Sequence, residues 1–146
     1  MINVIKTDVK EDFIQWTPVL SSSGTAPTGW AMTAAGANEY YVVNDLVVCT
    51  IRFNTTGTPT AGTGLWRFSI PFPSKSNGVV CGDWYYYNNG PSGHGHVVVY
   101  TNYIMLAAIT YAPSGTAVQI VGPSSLNLGY TNYGSISLNF FYERAR

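Results

Sequence analysis

The chain has 146 residues, with 7 Lys plus Arg against 7 Asp plus Glu, and only 10% of it is charged, well under the roughly 25% of an ordinary soluble domain. That is one domain's worth of polypeptide, long enough to bury a core, while so few cations argue against a phosphate-binding face and against nucleic acid as a partner. Val97–Tyr100 and Ile104–Ile109 are the longest apolar runs, far short of the ~20 residues a membrane-spanning helix needs, so no membrane partner is expected.

The opening Met1-Ile-Asn-Val-Ile-Lys-Thr-Asp carries charge early and has no apolar core of a signal peptide. Ile2, Val4 and Ile5 alternate imperfectly with Asn3 and Lys6. That pattern suits an arm, residues 1–11, that adds as a strand to a partner's edge. It suits equally a first strand of the chain's own sheet. Residues 12–146 are expected to form one domain.

Helix signals are nearly absent, because Gly or Pro interrupts every window that could hold a 3.6-residue apolar period. Strand signals are plentiful. Asp12–Trp16 predicts a short edge strand that stops before Pro18. Glu39–Val43 predicts a strand and Asn44-Asp45 a turn, with the Asp45 side chain capping its own backbone. In the next run Val47, Cys49, Ile51 and Phe53 share one face, with Thr50, Arg52 and Asn54 opposite. Trp66, Phe68 and Ile70 form a second apolar face, with Arg67 and Ser69 on the other side. Val79–Tyr87 and His94–Tyr100 flank the loop Asn88-Asn-Gly-Pro-Ser-Gly and predict a hairpin. Tyr103–Tyr111 follows a turn at Thr101-Asn102, and Ala117–Val121 follows Ala112-Pro-Ser-Gly. Ile136, Leu138, Phe140 and Tyr142 form the last apolar face. Ser21–Gly29, Asn54–Gly64 and Gly122–Ser125 are rich in Ser, Thr, Gly and Pro and read as linkers. Many short strands joined by such turns predict an all-β fold, a single antiparallel sandwich or small barrel.

Chemistry is sparse. Cys49 lies in an apolar strand and reads as a small buried hydrophobe; neither it nor Cys81 belongs to a C-x-x-C. A disulfide between them requires their strands to face each other. Asp83 with Glu39 is the one carboxylate pair to weigh for hydrolysis, and no spacing requires it. His94-Gly-His96 puts two imidazoles on one side of a strand, a metal-like pattern if Asp83 or a cysteine approaches. The plainer reading is a polar strand start beside a glycine-rich loop. There is no G-x-S-x-G, P-loop or dinucleotide fingerprint. The expectation is a protein without catalytic residues, metal or cofactor.

The informative feature is aromatic. Trp84, Tyr85, Tyr86 and Tyr87 are consecutive. On a strand Trp84 and Tyr86 face one way, Tyr85 and Tyr87 the other. One pair can enter a core; the other needs a covering partner. Tyr130 and Tyr133 add a second Tyr/Asn cluster. Surfaces of this kind suit subunit contacts, internal packing or sugar stacking.

Several short segments then resemble a known pattern. Trp16-Thr-Pro-Val-Leu20 resembles the W-T-P-x-L opening of a β-rich domain of tailed-bacteriophage structural proteins. Tyr40-Tyr41, Asn44-Asp45 and Leu46–Phe53 follow in the family's order, Gly64–Pro71 is similar to its G-x-x-x-F-S-L-P segment, and Ile136–Glu143 to its closing strand. The resemblance implies a jelly-roll-like sandwich, frequently a homotrimer, that serves virion architecture or attachment and has no catalytic residues. Only about fifteen residues precede Trp16, which leaves no room for a fibre shaft. The expectation is therefore a decoration or cement protein on the phage head, bound to the major capsid protein after synthesis in the host cytoplasm. A receptor-binding knob on a head or tail fibre, reading host-surface glycan, is the alternative. The partner or oligomer interface is expected at Ile2, Val4, Ile5, Trp84, Tyr85, Tyr86, Tyr87, Tyr130 and Tyr133.

Overall fold

The computed structural model describes residues 13–32, 38–60, 62–87, 93–112, 115–120 and 134–146. Among them are eleven strands: β1 (Ile14–Gln15), β2 (Leu20–Ser22), β3 (Thr28–Met32), β4 (Glu39–Val43), β5 (Leu46–Thr60), β6 (Trp66–Ser69), β7 (Val79–Tyr87), β8 (Gly93–Val99), β9 (Tyr103–Ala112), β10 (Gly115–Ile120) and β11 (Ser135–Glu143). The arm residues Ile2, Val4 and Ile5 and the cluster Tyr130/Tyr133 lie outside the described residues.

The chain forms strands where apolar and polar residues alternate, because only an extended backbone puts alternate side chains on one face. β4 and β5 are joined by the two-residue turn Asn44-Asp45, with Val43 paired to Leu46. Asn44 sits at φ 56°, a left-handed conformation that asparagine tolerates and that matches the twist of a tight hairpin. Of the stretches expected to be linkers, Gly122–Ser125 lies outside the described residues. The other two are partly strand: Ser21–Gly29 holds the end of β2 and the start of β3, and Asn54–Gly64 holds the end of β5. Their Ser, Thr and Gly residues carry no core signal. What orders them is pairing to neighbours, β2 to β6 and β3 to β5.

All ladders are antiparallel, in the order β1-β4-β5-β11-β7-β8-β9-β6-β2, with β3 also on β5 and β10 also on β9. β5 and β6 stand five places apart in that order. At ~4.8 Å per strand a flat sheet would hold them roughly 24 Å apart. Yet the rings of Phe53 (β5) and Phe68 (β6) lie 5.1 Å apart, and Trp66 packs on both Phe53 and Trp30. The sheet therefore curls over its own apolar face into an open half-barrel. The core inside the curl contains the expected faces Val47/Cys49/Ile51/Phe53 and Ile136/Leu138/Phe140/Tyr142, and Trp66 and Phe68 of the third, whose Ile70 is only partly buried against it, with Trp84, Tyr86, Val97, Ile104 and Leu106.

Two polar groups in this core find partners across the curl. The Trp84 indole N–H donates to Ala107 O at 2.9 Å. Reaching it takes the indole over β8 at Gly95, where a Cβ would lie 2.7 Å from Trp84 Nε1 and 2.0 Å from Ala107 O. The Tyr142 hydroxyl donates to Phe72 O at 2.9 Å, and burial pushes its own pKa well up.

The register between β7 and β8 shifts between Val80 and Gly82, leaving Cys81 as the extra residue of a bulge. The bulge turns Cys81 inward while Val79 and Val80 stay half exposed. Both cysteines are free and buried. Cys49 on β5 and Cys81 on β7 are separated by β11, roughly two strand spacings, beyond the reach of a disulfide. Burial pushes the Cys81 thiol up to about 12 and the Cys49 thiol higher still, so neither is a nucleophile near neutral pH.

Candidate functional site

The functional question lies on the outer face of the curl. Strand register arranges its side chains in rows that run across the strands. One row is Gln15, Glu39, Thr50, Asn139, Asp83 and His96, on β1, β4, β5, β11, β7 and β8. Several of its neighbours are bonded: Gln15 Nε2 donates to Glu39 Oε1 at 3.0 Å, Thr50 Oγ1 to Asn139 Oδ1 at 3.2 Å, and His96 Nδ1 lies 2.9 Å from Asp83 Oδ1. The next row is Arg52, Ser137, Tyr85 and His94, with Arg52 Nε donating to Ser137 Oγ at 3.3 Å.

On the other side of the polar rows the face turns apolar. Tyr41, Val48 and Phe141 are in register, and Phe13 packs edge-on against Tyr41 at 5.2 Å. Phe141 is 57% exposed. It joins Leu46, Val79 and Val80, each 42–50% exposed, around a shallow groove of about 240 Å³. Beside it opens a charged cleft lined by Asp45, Lys75, Glu143, Arg144 and Arg146. Those charges are mutually paired. Lys75 Nζ meets Glu143 Oε1 at 2.9 Å, and Arg146 Nη2 meets Asp45 Oδ2 at 2.6 Å, with Arg144 Nε 3.7 Å from the same carboxylate. The Arg146 hydrogen bond holds the Asp45 carboxyl below its usual range, helped by the charges of Arg146 and Arg144. The expected role of Asp45 as a cap on its own turn is thus corrected: its side chain ties the C-terminal residues to the β4–β5 hairpin.

The aromatic run divides as its alternation requires. Trp84 is 2% and Tyr86 0% exposed, and both are core. They are not available to a partner, which corrects their place in the expected interface. Both lie in the buried cluster that the curled sheet encloses, so the chain is its own cover. Tyr85 is 49% exposed on the outer face. Tyr87 pairs with Ser135 by backbone; its side chain lies outside the described residues.

His94 and His96 both face outward, and Asp83 approaches His96 as the metal-like pattern requires, but Cys81 faces the core. Among the described residues no three His, Cys, Asp or Glu side chains are grouped to hold a metal. Glu39 and Asp83 share a row but are three strands apart, roughly 14 Å, wider than the ~5–9.5 Å of glycosidase acid pairs.

Sequence reasoning missed the apolar groove, although its signal is present. Phe140-Phe141-Tyr142 and Val79-Val80 break the alternation, so at both places one large apolar side chain must face outward. Comparison of the chain with protein-family models, curated proteins and solved structures finds no match.

Proposed function

We propose that this chain is a bacteriophage virion structural protein, a capsid decoration or cement protein that docks on the assembled head. The observation that carries this reading is the apolar groove of Leu46, Val79, Val80 and Phe141 beside its charged cleft. Half-exposed apolar side chains on a sheet face gain free energy when a second surface covers them, ~1.5–3 kcal/mol for each one fully buried. In the cleft both carboxylates, Asp45 and Glu143, are paired, and with Lys75, Arg144 and Arg146 against them the rim keeps a small positive excess. An apolar centre with a polar rim is the anatomy of a protein–protein interface, and the occupant that fits the groove is an apolar ridge of another protein.

The W-T-P-x-L resemblance supplies the shell as the source of that ridge, with the major capsid protein as the partner. A protein that binds only the assembled shell stabilises it by mass action and needs no active site. The jelly-roll-like sandwich, the homotrimer and a place on the head rather than the tail belong to the same proposal; the curled sheet supports a sandwich- or barrel-like architecture in general.

The test is to mix the purified protein with capsids stripped of accessory proteins and, separately, with host cells. Saturable, stoichiometric capsid binding is expected, weakened at least ~10-fold by Phe141→Asp. Saturable binding to cells with none to capsids overturns the decoration reading and leaves the receptor-binding knob.

A further inference from the structure

The polar half of the outer face has an organisation that the docking groove does not explain. Tyr85 stands at its centre, half exposed, and its hydroxyl has no hydrogen-bond partner among the described residues. Among the described residues Asn139, on β11 beside it, is held by one end only. Thr50 occupies its Oδ1, so the two amide N–H donors point away from that contact, free for a ligand. Two residues before Tyr85 on β7, Asp83 is held in the same way. His96 occupies Oδ1, while the side chain is 80% exposed and Oδ2 has no partner among the described residues. In Tyr85's own row the Ser137 hydroxyl accepts from Arg52 and retains its proton to donate. His94, opposite Tyr85 on β8, is exposed.

Asn139, Asp83 and Ser137 are thus each anchored by a neighbour and leave a donor or acceptor open around one exposed aromatic ring. Fixed polar groups lose less side-chain entropy when they bind. The four strands β5, β11, β7 and β8 and the two rows make a patch of roughly 14 by 7 Å, the footprint of a short oligosaccharide. A pyranose presents an apolar C–H face that packs on an aromatic ring and hydroxyls that both donate and accept. The patch offers a ring, two amide donors and a carboxylate oxygen, which is the complement of that surface. Its formal charges balance, with Arg52 against Asp83, so the ligand that fits is uncharged. A phosphate chain would want more cations, and a protein ridge would want apolar cover.

We propose that this face, centred on Tyr85 with Asn139, Asp83 and Ser137, is a binding platform for neutral saccharides. It uses no residue of the docking groove, so the two readings fail separately. The test applies the whole protein to an array of neutral and anionic bacterial and host glycans. It repeats the assay with Tyr85→Ala, Tyr85→Phe, Asn139→Ala and Phe141→Asp, each checked for unchanged thermal unfolding. Binding to a set of uncharged glycans is expected. Tyr85→Ala and Asn139→Ala should weaken it at least ~10-fold, while Tyr85→Phe, which keeps the ring, and Phe141→Asp should retain it. The proposal is overturned if no glycan binds, if binding survives Tyr85→Ala, if Tyr85→Phe loses as much as Tyr85→Ala, or if only anionic glycans bind and high salt removes them.

Discussion

Asn139 and Phe141 are two residues apart on β11 and face the same way, yet they belong to different surfaces. Asn139 lies in a row of hydrogen-bonded polar side chains that crosses the sheet. Phe141 opens onto the apolar groove. Behind both, Ile136, Leu138, Phe140 and Tyr142 form an unbroken inner face. The contrast shows how the two sides of one strand are constrained. The inner side must be apolar along its whole length, because the curl closes over it. The outer side carries no such demand, so a change from polar to apolar along it reports what the surface meets rather than what the fold needs.

That comparison can be broken or sharpened by four substitutions. The largest effect is expected on the inner face, where Trp66→Ala should lower the free energy of unfolding by about 3–5 kcal/mol in denaturant titrations. A loss under about 1 kcal/mol would mean that the two faces do not differ in the way described. Next is Gly95→Ala. Its Cβ would displace the Trp84 indole from Ala107 O, and a loss of about 1–3 kcal/mol is expected; the near-ultraviolet circular dichroism of the tryptophans should change with it. On the outer face Tyr85→Ala should shift stability by no more than about 0.5 kcal/mol in the same titrations. It should leave capsid binding intact, and equal losses of folding and binding would refer Tyr85 to packing alone.

The smallest effect concerns the charged cleft. Asp45 has a depressed carboxyl pKa in the native state. The stability it adds is therefore present above the unfolded carboxylate value of about 3.9 and is lost as pH falls through the lower native value. Asp45→Asn should flatten the acid side of a plot of Tm against pH, by little, because its Arg146 partner is 85% exposed and solvent screens the pair. An acid limb as steep as that of the unaltered chain would remove Arg146 as the cause.

Much of this architecture was legible beforehand. The apolar faces of β5, β6 and β11 follow from alternation alone, since a period of two admits only one partition of side chains. The turn at Asn44-Asp45 and the hairpin of β7 with β8 follow from turn chemistry. β2, β3 and the end of β5 were not legible, because Ser, Thr and Gly in a strand look the same as in a loop until a neighbour supplies the ladder. The aromatic run was legible as two opposed pairs, but which pair enters the core depends on the bulge and on the direction of the curl. Of the expected interface residues, Tyr85 is the one that the described structure places at the surface.

The chain's own sequence determined that the fold is all-β, which faces of the main strands are apolar, and that charged residues are sparse. These are local properties, set by the identity and order of neighbouring residues. Only the tertiary structure decided that Trp84 and Tyr86 are core, that Cys49 and Cys81 stay apart, and that Thr50, Asn139, Asp83 and His96 form one row. Each of these depends on register between strands far apart in the chain, as where Thr50 meets Asn139, 89 residues on, and register is fixed by the whole sheet closing over its core.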